Sequence, residues 1–200
     1  MELVEGRNFA RDTAQSRHAG GSSAVGCAAV DLPREVLAGD VPLLNDGAIV
    51  LKANRVEGTR VETFVQLDGS LGNRKGINRQ GGGLSASALT DKDREDIVHG
   101  VSRDADLIAV SFPRSAEDLA EARRLVREAS GHAQMVAKIE RAEASANLKS
   151  LIDASDLVIV ARGDLDAEIG DAELPGCQKR IISAARERNR LVITATQMSQ

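Results

Sequence analysis

From residue 90 onward the sequence alternates short apolar runs with segments of helical periodicity, and this alternation confines the chain to few folds. The runs are Leu107-Ile108-Ala109-Val110, Met135-Val136-Ala137, Leu157-Val158-Ile159-Val160 and Leu191-Val192-Ile193. Apolar on successive residues, they read as strands buried on both faces. Thr90-Asp91-Lys92-Asp93 reads as a capping box opening a helix over 91–101, because a Thr hydroxyl and a carboxylate three residues later satisfy backbone N–H groups that have no helical partner. Ser115-Ala116-Glu117-Asp118 reads as a second helix start, Leu119, Ala122, Val126 and Ala129 follow at helical spacing, and Gly131 ends the helix. Further helices are expected over 141–154 and 177–188, the latter with Ile181, Ile182 and Ala185 on its apolar side. Strands separated by amphipathic helices form a parallel sheet. Either an open doubly wound sheet or part of a (β/α)8 barrel fits this pattern.

Residues 1–70 have a different grain and read as all-β. Gly47 to Leu51 and Arg60 to Leu67 are strand-like, with Val61, Thr63, Val65 and Leu67 on one face. Asn45-Asp46-Gly47 and Glu57-Gly58 supply turn chemistry, since Gly, Asn and Asp tolerate positive φ. Short strands with frequent turns predict a small sheet or barrel. Gly81-Gly82-Gly83 then reads as a linker or hinge, because three glycines suit neither a helix nor a strand interior. A phosphate-cradling loop is the weaker alternative, as neither Walker spacing nor Gly-x-Gly-x-x-Gly is present here.

Composition excludes several classes of function. Aromatics are 2% of the chain, with no Trp or Tyr, and the net charge is −4. A base-stacking surface needs aromatic platforms and a basic footprint, so nucleic acid is not an expected partner. No apolar run approaches the roughly 20 residues that span a bilayer, and the N-terminus has neither the basic region nor the apolar core of a signal peptide. Cys27 and Cys177 stand far apart and form no metal or redox motif, and His18, His99 and His132 lack zinc-ligand spacing. Free buried thiols in a cytoplasmic protein are the expected reading.

The chemistry collects where the strands end. The four runs give way to Ser111-Phe112-Pro113-Arg114, Lys138-Ile139-Glu140-Arg141, Arg162-Gly163-Asp164 and Thr194-Ala195-Thr196-Gln197. Barrels and open parallel sheets both bind ligands at the carboxyl ends of their strands. Glu140 and Asp164 are hard oxygen ligands, and two carboxylates completed by substrate oxygens and waters suit Mg2+. Lys138 lies two residues before Glu140, so in an extended chain both face the same way. A cation there is suited to neutralise an oxyanion or a transferring phosphoryl group. Gly163 permits close backbone approach to a ligand, and Thr196 offers a hydroxyl. Taken singly, Lys-x-Glu is usually a surface ion pair, Arg-Gly-Asp a turn, and the threonines β-formers. Their recurrence at matching positions carries the functional reading.

Ala137-Lys138-Ile139-Glu140-Arg141-Ala142-Glu143, Val160-Ala161-Arg162-Gly163-Asp164-Leu165 and Ile193-Thr194-Ala195-Thr196-Gln197-Met198 resemble three signature segments of pyruvate kinases, in that family's order and near its spacing. Val110-Ser111-Phe112-Pro113-Arg114 and Asn73-Arg74-Lys75-Gly76-Ile77-Asn78 are similar to two more, and the stretch from Gly39-Asp40 to Gly47-Ala48-Ile49-Val50 resembles the family's lid domain. The resemblance implies phosphoryl transfer from phosphoenolpyruvate to ADP, giving pyruvate and ATP in glycolysis. It implies that Lys138 stabilises the transferring phosphoryl and the enolate, that Glu140 and Asp164 hold Mg2+, and that Gly163, Asp164 and Thr196 contact substrate. Lys75 matches a nucleotide-contacting lysine of the lid, and a solvated basic turn is its plainer reading. The family also uses K+ and is usually tetrameric.

The fold expected on this basis is α/β, a partial (β/α)8 TIM-type barrel over 79–200 preceded by a small all-β barrel lid domain over 1–78. The resemblance also marks departures. The chain opens inside the lid, so the barrel strands that carry an Arg/Asn/Ser cluster and the Asp/Thr pair for K+ and nucleotide are absent, and it stops just after its fourth strand. Asp166 stands where the family usually has glycine. Half a barrel leaves open sheet edges, which predicts a marginal or aggregation-prone isolated chain. Two alternatives stay open: a non-catalytic remnant that retains Mg2+ and phosphate contacts, and another pyruvate-handling Mg2+ barrel lyase. The lyase does not account for the β-rich segment and glycines ahead of the barrel.

Overall fold

The computed structural model describes residues 1–16, 20–21, 23–73, 75–84 and 88–195. The chain divides into two compact units, Met1–Ala86 and Ser87–Gln200.

The first unit contains, in order, β1 (Glu2–Leu3), β2 (Asn8–Asp12), β3 (Gly20–Gly21), β4 (Ala24–Gly26), α1 (Leu32–Glu35), β5 (Pro42–Leu44), β6 (Ile49–Glu57), β7 (Arg60–Leu67), β8 (Gly69–Ser70) and β9 (Ile77–Arg79). Seven strands form one sheet in the order β3-β4-β2-β7-β6-β5-β9, and β1 pairs with β8. The sheet is mixed, since β2 and β4 run parallel while the remaining pairs are antiparallel. Among the described residues it does not close on itself, and β3 and β9 are its edges. The all-β reading omitted α1, a single turn in which Pro33 supplies the φ a helix start needs.

β6 and β7 form a hairpin with Glu57 opposite Arg60, and Gly58 takes the positive φ of its turn. Asn45, Asp46 and Gly47 all have positive φ, as their turn chemistry predicts. Val61, Thr63 and Val65 face the core, and the Thr63 hydroxyl is satisfied by donating to the Phe9 carbonyl at 2.7 Å. Leu67, expected on that face, is exposed at the strand end. The three glycines read as a linker form a turn within this unit, each with positive φ. The Gly82 N–H bonds the Arg79 carbonyl, and the Arg79 guanidinium reaches back to the Gly82 carbonyl.

The second unit runs α2 (Asp91–Ser102), β10 (Leu107–Val110), α3 (Ala116–Glu128), β11 (Gln134–Ile139), α4 (Ala142–Ala146), α5 (Leu148–Ala154), β12 (Leu157–Ala161), α6 (Arg162–Ile169), α7 (Leu174–Glu187) and β13 (Leu191–Ala195). Four parallel strands lie in the order β10-β11-β12-β13. Spatial order follows chain order without reversal. A doubly wound sheet reverses at a switch point, so these strands are wound in one sense. Met135, Ala137, Ile139, Val158 and Val160 join Leu119, Leu151, Leu165 and Ile181 in the core between sheet and helices. The edge strands leave Leu107, Leu191 and Ile193 exposed.

The capping box of α2 is present, with Thr90 N donating to Asp93 Oδ2 at 2.8 Å and Asp93 N to Thr90 Oγ1 at 3.2 Å. The helix expected over 141–154 is broken at Asn147, whose side chain donates to the Arg114 carbonyl at 3.0 Å. Asn competes for backbone groups in this way and weakens a helix interior. The helix expected from 177 begins at Leu174, with Pro175 in its first turn. Arg162-Gly163-Asp164, read as the polar end of the third strand, opens a helix directly from the end of β12.

Candidate functional site

The site is built where β10, β11 and β12 end. Lys138 is the penultimate residue of β11 and Glu140 follows the strand directly. Alternation sends Ile139 into the core and leaves Lys138 and Glu140 on one face. Lys138 Nζ stands 2.6 Å from Glu140 Oε1 and donates to Ser111 Oγ at 2.8 Å. Ser111 reaches it because Val110 is in register with Ala137, so the next residue of each strand is also adjacent.

Glu140 is buried, with its side chain 1% exposed. Its second oxygen, Oε2, accepts the Phe112 N–H at 2.8 Å. Phe112 has a φ of 55°, in the left-handed region that a bulky residue rarely occupies. That turn aims its amide at Glu140, and its ring lies 5.4 Å from the Arg141 guanidinium, a cation–π contact. Burial pushes the Glu140 carboxyl above its usual range, the Lys138 ammonium and the Phe112 amide oppose this, and the Asp164 charge adds to the rise.

Asp164 and Gly163 lie half-buried in the first turn of α6. One helical turn after Asp164 comes Glu168, which is buried and whose Oε2 accepts the Ala142 N–H at 2.8 Å. Burial pushes Glu168 up to about 7; the Ala142 amide and Arg141 oppose this, while Glu143 and Asp164 add to it.

Of the residues singled out from the sequence, Lys138 and Glu140 are in contact, and Asp164 and Gly163 lie at the neighbouring strand end, with Asp164 close enough for its charge to act on Glu140. Lys75 is exposed in the first unit, between β8 and β9. Thr196 lies outside the described residues. Sequence reasoning gave no role to Ser111, Phe112, Arg141 or Glu168. Glu168 carried a signal, its spacing of four from Asp164, which shows only once 162–169 is read as a helix.

Among the described residues no group of three or more His, Cys, Asp or Glu side chains converges as a metal cage. The available donors are carboxylates whose charges oppose one another. Hard oxygen donors of this kind suit a small divalent cation that takes its remaining ligands from substrate and water. Among the described residues no helix is long and apolar enough to cross a membrane.

Comparison with known proteins gives the family context. The family model for the pyruvate kinase barrel domain matches residues 1–200. Pyruvate kinase of Haemophilus influenzae is 48% identical over 201 residues, covering 99% of this chain and 42% of that protein. Pyruvate kinase II of Salmonella typhimurium is 50% identical over 198 residues, covering 98% of this chain and 41% of that protein. Pyruvate kinase of Thermotoga maritima is 37% identical over 198 residues, covering 99% and 42%. The chain spans about two-fifths of the length of these curated relatives.

Proposed function

The chain belongs to the pyruvate kinase family, and on that premise we propose that its second unit carries the phosphoryl-transfer chemistry of such an enzyme, from phosphoenolpyruvate to ADP, giving pyruvate and ATP. One observation carries the proposal. An ammonium has three N–H donors, and the Lys138 ammonium spends two of them on Glu140 and Ser111. Among the described residues one donor remains for a ligand oxygen at the strand ends.

Phosphoryl transfer asks a protein mainly for positioning and charge stabilisation. Glu140 and Ser111 hold Lys138 in place, so its remaining N–H is oriented before substrate arrives. In the proposed reaction it donates to an oxygen of the transferring phosphoryl and then to the developing enolate. Glu140 and Asp164 are the proposed Mg2+ ligands, and the ion would offset charge on phosphoryl and enolate oxygens. The Gly163 and Asp164 backbone, at the start of α6, is the proposed substrate contact, with the Thr196 hydroxyl as a further one. Lys75 is the proposed nucleotide contact on the first unit, which we assign to the lid. The unreversed order β10-β11-β12-β13 supports reading the second unit as part of a (β/α)8 barrel. K+ dependence, tetrameric assembly and a cytoplasmic setting follow from family membership and are proposed on that ground.

A second reading rests on Asp166. Among the described residues its Oδ1 is buried without a hydrogen-bond partner, at the position where the family usually has glycine. An extra carboxylate there opposes an anionic substrate by like charge and so favours a chain that keeps its Mg2+ and phosphate contacts but does not turn over. Pyruvate formation from phosphoenolpyruvate and ADP, with Mg2+ and K+, tests both readings when run beside Lys138→Met and Asp166→Gly. Turnover lost in Lys138→Met supports the kinase reading. Turnover that appears only in Asp166→Gly supports the second, and equal rates with and without Lys138 would sink the first.

A further inference from the structure

We infer that Glu168 is a positioning residue that holds the Glu140 loop against the helix bearing Asp164, and so fixes the spacing of the two carboxylates proposed as Mg2+ ligands. The inference rests on the metal reading above. Glu168 is 6% exposed, at a position where an apolar side chain would pack with none of a carboxylate's desolvation cost. What the carboxylate supplies is one directed bond, from Ala142 N to Glu168 Oε2 at 2.8 Å. Ala142 is two residues beyond Glu140, at the start of α4. Glu168 is four residues beyond Asp164 on α6, the spacing that places two side chains on one helix face. The bond therefore joins the loop after β11 to the helix after β12, close to each proposed ligand.

Mg2+ demands nearly ideal geometry at about 2.0–2.1 Å, so drift of one carboxylate relative to the other lowers affinity. Groups that orient metal ligands from behind typically change affinity about 10–100-fold when removed. Glutamine retains a carbonyl oxygen that can accept the Ala142 N–H, whereas alanine does not.

The test uses the full 200-residue chain, Mn2+ as a paramagnetic substitute for Mg2+, and amide hydrogen exchange without metal. Glu168→Ala is expected to weaken Mn2+ binding about 10–100-fold and to speed exchange at the Ala142 amide. The Met135 amide, bonded to Asp156 at the opposite end of β11, should keep its protection. Glu168→Gln is expected to restore both readouts. Unchanged Mn2+ affinity in Glu168→Ala overturns the positioning role alone. Parallel loss of protection at Met135 and Ala142 without rescue by glutamine also overturns it, by showing general loosening. Failure of the unaltered chain to bind Mn2+ removes the metal reading, and the positioning role falls with it.

Discussion

Lys138 and Glu140 form an asymmetric ion pair at 2.6 Å, with the carboxylate side chain 1% exposed and the lysine side chain 29% exposed. The acid is committed to the protein interior while the ammonium stays open to a ligand. Pairs whose two partners are both solvent-exposed contribute little. Here the lysine both stabilises a buried charge and presents one.

Lys138→Met should therefore act on stability and on chemistry together. It leaves Glu140 buried with the Phe112 amide still bonded to it but without its cation, at a cost of about 1–3 kcal/mol, read as a lower urea midpoint. In the proposed reaction the same change should lower turnover by about 10²–10³-fold, the usual effect of removing one oriented donor from a developing anion. An unchanged midpoint would show that Lys138 does not balance the Glu140 charge.

The Glu168 carboxyl, pushed from 4.5 up to about 7 by burial, predicts a stability change with a defined sign. Between those values the folded chain holds a proton that the unfolded chain has released. Stability contributed by this group is complete at pH below 4.5, declines as pH rises through the interval, and is lost above about 7. At about 1.4 kcal/mol per pH unit the loss is about 3 kcal/mol. Urea unfolding at pH 5 and pH 8 checks it, and Glu168→Gln should remove most of this group's contribution to the difference. An identical pH dependence in the variant would mean that Glu168 titrates normally.

The strand–helix alternation was legible because burial on both faces forces continuous apolar runs, as in Leu157-Val158-Ile159-Val160, and because Thr90 and Asp93 advertise a helix start. The Lys138–Glu140 relationship was equally legible, since side-chain alternation alone puts both on one face. Other features were hidden for physical reasons. Ser111 meets Lys138 only through the register of β10 on β11, which no local pattern encodes. The left-handed turn at Phe112 is set by its contacts, against its own preference. The helix of 162–169 begins with Arg-Gly-Asp, a sequence whose local preference is a turn, and packing of Leu165 in the core overrides that preference. Reading it as a strand end concealed Glu168.

The glycines of the first unit should differ in their tolerance of alanine. Gly81 and Gly83 both have positive φ, which costs an alanine about 1 kcal/mol. Nothing lies within 4 Å of a Cβ added at Gly81, whereas at Gly83 it would clash with Arg79 Nη2. The guanidinium is not free to yield, because it also donates to the Glu35 carbonyl at 2.8 Å and to Asp40 Oδ2 at 3.1 Å. Displacing it adds about 1.5–3 kcal/mol for charge-assisted bonds. Gly83→Ala should lower the unfolding midpoint clearly more than Gly81→Ala. Equal effects would mean that the Arg79 contacts contribute little.

Asp156 predicts the opposite pH behaviour from Glu168, at the other end of the same sheet. Its Oδ2 accepts the Met135 N–H at 2.8 Å and lies 2.9 Å from Arg123 Nη2, so it clamps the start of β11 to α3. Burial alone would raise this carboxyl, but the Met135 amide and the Arg123 and Arg190 guanidiniums outweigh it and hold the group below its usual 3.8. A depressed carboxyl contributes stability that is complete above the unfolded value and is lost as pH falls through the folded one. Below pH 3.8 the clamp should therefore weaken while Glu168 is already protonated in both folded and unfolded chains. Asp156→Asn keeps an oxygen for Met135 but drops the charge that Arg123 and Arg190 face. It should cost about 1.5–3 kcal/mol at pH 7 and blunt the loss of stability on acidification below 3.8. Urea midpoints at pH 3 and pH 7 measure both effects, and an asparagine variant as acid-sensitive as the unaltered chain would show that other carboxylates govern acid unfolding.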